Sequence, residues 1–333
     1  MKIVLDAMGG DIGPAANVEA AVNAAREFGF EIALVGKQEL IRPLLVQHNT
    51  AGLTLPVVHA AEVIEMDEHP AAAVKSKKNS SMAVGMGLVK RGEADAFVTM
   101  GNTGGAFATA LFNLGRIRGI QRAALSTAYP TIRGWSLILD IGANADCKPE
   151  HLVQFALMGS LYAERVMNVR KPKVALVSTG EEETKGSQLV QEVHQLLKKA
   201  PLNFIGNAEG KDIPAGMADV YVTDGSTGNV IIKLSEGLGG MIKQMLREEI
   251  TRTTAGKLGG LLIKDAVHRM SRRTDYEEIG GAPLLGVDGV VIIGHGRSNA
   301  RAIRSALRVA GQAVEKGIVD AIEKGLEALP ASV

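Results

Sequence analysis

The sequence predicts an α/β protein whose parallel sheet is wound with crossover helices. Three observations carry that expectation. Short β-rich runs alternate with stretches of helical periodicity along the chain. Glycine is abundant, at 39 of 333 residues, and aromatics are only 4%, so Val, Ile, Leu and Ala must fill the core. Several β-rich runs also end in a polar, glycine-bearing turn, which is where open α/β sheets collect ligands.

The elements follow in order. Lys2 to Asp6 is a short strand that ends in Gly9-Gly10 and then Gly13-Pro14. Asn17 to Phe28 is helical, with Val18, Ala21, Val22 and Ala25 on one face. A buried strand from Glu31 to Val35 stops at Gly36, a helix runs from about Gln38 to Gln47, and Val57-Val58 opens another extended piece. Ala83 to Arg91 reads as helix, Ala96 to Thr99 as strand and Gly104 to Phe112 as helix. Ser136 to Asp140 is a strand, Glu150 to Arg165 a helix, Val174 to Ser178 a strand and Ser187 to Leu197 a helix. No internal repeat or low-complexity linker divides the chain, so any two lobes must be joined through the sheet.

Composition removes several function classes. Lys+Arg against Asp+Glu is 37 to 36, so no cationic excess faces a nucleic-acid backbone. One cysteine excludes a disulfide framework and a Cys-rich zinc site. No run is long and apolar enough to span a bilayer, and Asp6 and Asp11 interrupt the apolar start, so no signal peptide is expected. The expectation is a cytoplasmic enzyme.

Five turns follow strands: Asp6 to Asp11, Gly101 to Gly105, Asp140 to Asn144, Gly180 to Gly186, and Asp224 to Asn229. Each offers free backbone N–H groups ahead of a helix, which suits an anion. One such turn is weak, but five in one chain point to a phosphate-bearing ligand. No P-loop, dinucleotide fingerprint, H-E-x-x-H or nucleophile elbow is present.

Near the C-terminal third a helix is expected from about Glu236 to Thr251. It is interrupted by the apolar, glycine-bearing stretch Thr253 to Ile263, and a basic helix follows. Together they read as a helical hairpin over about 236–274. Periodicity alone favours a dimer contact or self-packing for its tip. The alternative is a shallow membrane foot, with Leu258, Leu261, Leu262 and Ile263 inserted and Lys257, Lys264 and Arg269 near headgroups.

Seven motifs in order give a resemblance over nearly the whole chain. They are Asp6-Ala7-Met8-Gly9-Gly10-Asp11-x-Gly13-Pro14, Lys77-Lys78-Asn79-Ser80-Ser81-Met82, Gly101-Asn102-Thr103-Gly104, Asp140 to Cys147, Gly180 to Gly186, Thr223 to Asn229, and Gly294-His295-Gly296. In these the chain resembles the acyl-ACP:phosphate acyltransferases of bacterial phospholipid synthesis, the PlsX family. Ser226, where an aromatic is common, and Ser178-Thr179, in place of an Asn-Ile pair, depart from the pattern.

The resemblance implies a three-layer α/β/α, two-lobed fold similar to isocitrate and isopropylmalate dehydrogenases, with a protruding helical hairpin. The expected lobes are residues 1–125 plus 285–333, and 126–284. It implies transfer of an acyl group from acyl carrier protein to inorganic phosphate, without metal or cofactor. It further implies a homodimer on an anionic membrane surface, which hands acyl phosphate to an integral-membrane glycerol-3-phosphate acyltransferase. That implication turns the reading of the hairpin tip toward the membrane foot.

Phosphate is itself an oxyanion nucleophile, so positioning and electrostatics can supply most of the acceleration. The phosphate-binding candidates are Lys77, Ser80 and Ser81 with Asn102, Thr103 and Gly104 at a helix start. Lys185 is the candidate cation for phosphate or the departing thiolate; the bland alternative is a solvated charged loop paired with Glu181. Asn229 is the candidate donor to the carbonyl oxygen, against the usual conformational reason for Asn in a turn. His295 either protonates the thiolate or packs its turn. Cys147 precedes a helix start, which invites a covalent route, but free cysteine is usually a small buried hydrophobe, and that reading is favoured.

Two other classes stay open. A decarboxylating dehydrogenase of the same fold would need clustered carboxylates for a metal, and Asp224 and Asp288 stand alone. A non-enzymatic membrane scaffold would consume no phosphate.

Overall fold

Strand β1 (Lys2–Asp6) buries every residue after its first, and successive side chains enter opposite faces of the sheet. Ile3 and Leu5 join one hydrophobic core and Val4 joins another. The computed structural model describes residues 1–273 and 280–329. Helix α1 (Pro14–Phe28), β2 (Glu31–Gly36), α2 (Gln38–Val46) and β3 (Val57–His59) follow, close to their expected bounds. Next come α3 (Pro70–Ser76), α4 (Ser81–Lys90), β4 (Ala96–Thr99), α5 (Thr103–Asn113), β5 (Ala124–Thr131) and β6 (Gly134–Leu139).

Helix α6 (Pro149–Arg165), β7 (Val174–Val177), α7 (Gln188–Leu197), β8 (Phe204–Ala208), α8 (Asp212–Ala215) and β9 (Val220–Val222) build the far half of the sheet. The chain then runs through α9 (Gly225–Thr251) and α10 (Thr254–Arg273). It returns as β10 (Ala282–Leu285), β11 (Val290–Ile293), α11 (Ala300–Glu315) and α12 (Ile318–Leu326). Residue 274 of the expected hairpin, and residues 275–279 and 330–333 of the expected lobes, lie outside the described residues.

The sheet has eleven strands in the order β3-β2-β1-β4-β11-β10-β5-β6-β9-β7-β8. It is mixed, which corrects the expectation of a parallel sheet. β3, β2, β1, β4 and β11 are mutually parallel, as are β6, β9, β7 and β8. Between the groups, β11/β10, β10/β5 and β5/β6 are all antiparallel. Three antiparallel steps reverse the strand direction, so the carboxyl ends of the two groups face opposite edges of the sheet. The elements expected from the sequence include no strand at 124–131 or 282–285, so the β5/β6 and β10/β11 hairpins that reverse the direction were not anticipated.

Helices cover both faces. Alternation along β1, β2 and β4 sends Ile3, Ile32 and Val98 into one core and Val4, Ala33 and Phe97 into the other. Under β6, β7 and β9 a third cluster gathers Ile138, Ala175 and Tyr221, with Ile231 and Ile232 of α9 packed against it. The architecture is therefore three layers.

The hairpin differs from expectation at both ends. Helix α9 starts at Gly225, not near Glu236, because Asp224 caps it: Thr227 N–H donates to Asp224 Oδ1 at 2.8 Å. The stretch 253–263 is no interruption, since α10 begins at Thr254 and the break is confined to Arg252-Thr253. Leu258, Leu261, Leu262 and Ile263 all lie on α10 and are exposed, Leu262 to 88%.

Candidate active site

Two aspartates at strand ends organise the glycine-bearing turns. Asp140, just after β6, is fully buried and accepts from Leu125 N–H at 3.1 Å, Gly142 N–H at 3.2 Å and Ala143 N–H at 3.0 Å. Asn144 adds its backbone N–H at 2.6 Å and its side-chain Nδ2 at 2.8 Å. Burial pushes the Asp140 carboxyl above the usual range, and these donors pull it back toward ionisation. Asp6, at the end of β1, has the same form: it accepts from Thr99 Oγ1 at 2.8 Å and Met8 N–H at 3.1 Å. Desolvation raises it as well.

The start of α9 sits directly on the Asp140 turn. Gly225 N–H donates to the Asn144 carbonyl at 2.8 Å. A Cβ on Gly228 would fall 1.9 Å from the Asp140 carbonyl oxygen, and one on Gly225 2.6 Å from that of Asn144. Only glycine permits this approach. Asn229 follows at once, exposed, with its Nδ2 3.7 Å from where a Gly142 side chain would begin. It therefore lies in the first turns of a helix and not in a loop, and its amide makes no hydrogen bond among the described residues.

Lys185 shares this sheet edge, on the turn that follows β7, next to β9. Its Cγ lies 2.9 Å from where a Gly180 side chain would begin. The neighbouring acids are held by other cations: Glu183 by Lys198 at 2.9 Å and Glu181 by Lys211 at 3.8 Å. The Lys185–Glu181 pair of the bland reading is therefore not formed, and Lys185 has no ion-pair partner among the described residues.

The remaining candidates gather at the opposite edge. Ser80 is fully buried and caps α4, accepting from Ala83 N–H at 3.2 Å, while Ser81 is buried beside Asp6. Asn102 caps α5 through Oδ1 to Gly105 N–H at 2.9 Å, and its Nδ2 donates to the carbonyls of Glu65, Met66 and Glu68. Lys77 Nζ is held at 2.6 Å by the Glu68 carboxylate and at 2.7 Å by the Val63 carbonyl. These side chains pin the 62–69 segment over the start of α5. The groups left open there are the N–H groups of Thr103 and Gly104, at helical positions that no internal bond can satisfy.

His295 follows β11 at this second edge, with Nε2 3.5 Å from Glu236 Oε1 of α9. Burial lowers its pKa, with Arg297 and Lys233 acting the same way and Glu236 opposing. Lys233 pairs with Glu236 at 3.4 Å. Asn229, Lys233 and Glu236 fall at i, i+4 and i+7, on one helical face. That face spans about 10 Å from the Asp140 turn to the His295 turn, at 1.5 Å per residue. The structure thus splits the expected catalytic trio, Lys185 and Asn229 at one pole and His295 at the other, and α9 joins the poles.

Sequence reasoning missed Lys233 and Glu236, and quoted Asp6 and Asp140 without giving them a role. The signal was present in the Asp224 cap and the seven-residue spacing, but it needed α9 to start at Gly225.

Cys147 lies near the Asn144 carbonyl. Burial, with the Asp140 and Asp224 carboxylates adding to it, pushes the Cys147 thiol up to about 12. The helix start does not activate it. Asp224 caps α9 and Asp288 pairs with Lys90 at 3.0 Å, so neither contributes to a carboxylate cluster for a metal.

Comparison with known proteins gives one consistent picture. A family profile described as "Fatty acid synthesis protein" matches residues 1–321. The "Phosphate acyltransferase" of Desulfitobacterium hafniense is 51% identical over 327 residues, 98% of this chain and 97% of that one. That of Geobacter sulfurreducens is 47% identical over 327 residues, 98% and 94% of the two chains. Among solved structures, a phosphotransacetylase from Streptococcus pyogenes superposes with a TM-score of 0.64 at 20% identity, covering 95% of this chain and 94% of its own. The EutD phosphotransacetylase from Staphylococcus aureus gives 0.62 at 18%, with the same coverage. The fold is that of these enzymes.

Two outcomes follow from the site. Gly228→Ala should destabilise the protein by about 1–3 kcal/mol, as overpacking does, read as a lower denaturant midpoint with unchanged slope. Cys147 in the folded protein should resist alkylation by iodoacetamide at pH 8 and react once denatured, since under one part in a thousand is thiolate at four units below its pKa.

Proposed function

The chain belongs to the phosphate acyltransferase family of fatty-acid and phospholipid synthesis, and from this we propose that its donor is an acyl thioester on acyl carrier protein and its acceptor is inorganic phosphate. A phosphate oxygen attacks the thioester carbonyl carbon, the C–S bond breaks, and the thiolate takes a proton as acyl phosphate leaves. No covalent acyl-enzyme is needed, in keeping with a Cys147 thiol held neutral.

The single observation that carries the assignment of roles is the seating of α9 on the Asp140 turn, which holds the Asn229 amide without an internal partner. Asn229 donates to the carbonyl oxygen as it gains charge, and Lys185 from the adjoining turn faces phosphate or the departing thiolate. The N–H groups of Thr103 and Gly104 supply an anion site at the other pole. Lys77, Ser80, Ser81 and Asn102 support that pole from behind, and His295 serves as proton donor to the thiolate. We take the β10/β5 pair as the division between lobes, with the α9 face lining the cleft.

The hairpin is read as a membrane foot on an anionic surface, in a homodimer that passes acyl phosphate to the integral-membrane acyltransferase. The support is an exposed run of Leu258, Leu261, Leu262 and Ile263 on α10 beside Lys257 and Lys264. No helix among the described residues is long and apolar enough to cross a membrane.

Purified protein mixed with acyl carrier protein thioester and labelled phosphate should release labelled acyl phosphate. Absence of that product from folded protein would overturn the reading. Asn229→Ala and Lys185→Ala should each stay folded and lose about 10²–10³ in rate, the usual cost of one preorganised donor. Wild-type rates in both would refute the roles.

Leu258→Glu with Leu262→Glu should release the protein from anionic vesicles while its activity in solution stays intact. Burial of each aliphatic side chain is worth roughly 1.5–3 kcal/mol and is replaced by repulsion. Continued co-sedimentation would refute the foot, and dissociation into monomers would identify the tip as a dimer contact.

A further inference from the structure

From Ala96 to Leu139 the chain carries four arginines and no carboxylate. Three of them, Arg116, Arg118 and Arg122, lie in the loop between α5 and β5 and are exposed. The loop is fixed to α6 by one buried side chain: Gln154 Nε2 donates to the Gly119 carbonyl at 3.0 Å, and Gln121 N–H donates to Gln154 Oε1 at 2.8 Å. Lys148, exposed at the N-cap of α6, adds a fourth cation. Arg122 and Lys148 both depress the His151 pKa, after burial itself, so they share one small region of space.

Several surface cations elsewhere are neutralised by a carboxylate, as in Lys90–Asp288, Lys198–Glu183 and Arg304–Glu27. Arg116, Arg118, Arg122 and Lys148 make no ion pair among the described residues. Asp146 and Glu150 on the adjoining turn leave the patch net positive. The patch also abuts the site. Ala123, next to Arg122, accepts from Asn144 Nδ2 at 2.7 Å, and Asn144 in turn holds Asp140 and the start of α9.

We infer that this basic rim is where the protein that carries the thioester docks, through an acidic face of its own. The inference rests on the proposed reading of a protein-borne donor. Unpaired cations beside a cleft steer an acidic partner and set its orientation, and they act mainly on encounter. A rim one residue from the Asp140 turn brings the donor's acyl group to the pole that holds Asn229 and Lys185.

The test is Arg118→Glu with Arg122→Glu in the full chain, a pair outside the reacting groups. Three readouts are taken: direct titration of unacylated carrier protein, acyl phosphate formation from the carrier-borne thioester, and formation from a small-molecule acyl thioester. The expected result is at least about tenfold weaker carrier binding and a matching loss in kcat/KM for the carrier-borne donor. The small thioester should be used at the wild-type rate, and the salt dependence of carrier binding should flatten. Unchanged carrier binding would overturn the inference, as would an equal loss with both donors. Wild-type protein that makes no acyl phosphate from either donor while still binding carrier would instead count against the proposed reaction and leave the docking rim standing.

Discussion

The site depends on one buried carboxylate. Asp140 sits at the end of β6, out of contact with water, and collects five hydrogen bonds within 3.2 Å. A charge buried this deeply is tolerated only when its lone pairs are filled, and filling them forces the chain after β6 to curl around it. The curl fixes the Asn144 carbonyl that receives Gly225 N–H, and so it sets where α9 begins. Asp6 does the same work at the end of β1. The two glycine-bearing edges are thus built alike, each as a turn wound on a carboxylate.

The mixed sheet then creates the geometric problem that α9 solves. Because strand direction reverses across β10 and β5, the two turn-bearing edges point opposite ways. The two edges are joined by one element, since α9 runs from Gly228 on the Asp140 turn to Glu236 beside His295. Its Lys233 brings a cation between the poles. The approach is close because Gly225 and Gly228 lack side chains, and it is held by the Asp224 cap.

Much of this was legible in the sequence. The strand starts at Lys2, Glu31, Ala96 and Val174 matched because apolar runs ended at glycine or a carboxylate. The turns were recognisable for the same reason. What stayed hidden depended on contacts between distant segments. β5 and β10 each form a hairpin with the strand that follows, but the step that joins the two halves pairs Leu284 and Leu285 with Leu125 and Ala124, far away in the chain. That Lys77 and Asn102 bind the 62–69 segment follows from Glu68 and three carbonyls some distance away in sequence. Helix α9 began early because Asp224 followed by glycines reads equally as a turn or as a cap, and only the packing surface of the Asp140 turn decides between them.

The central claim is that Asp140 acts on the reaction through Asn229, by holding the start of α9. A double-mutant cycle tests it most directly: rates of acyl phosphate formation for wild type, Asp140→Asn, Asn229→Ala and the double variant, each checked to be folded. If Asp140 works by placing Asn229, the losses overlap, and adding Asp140→Asn to Asn229→Ala lowers the rate little further. Losses that multiply independently, with each variant keeping its full effect in the presence of the other, would contradict the account.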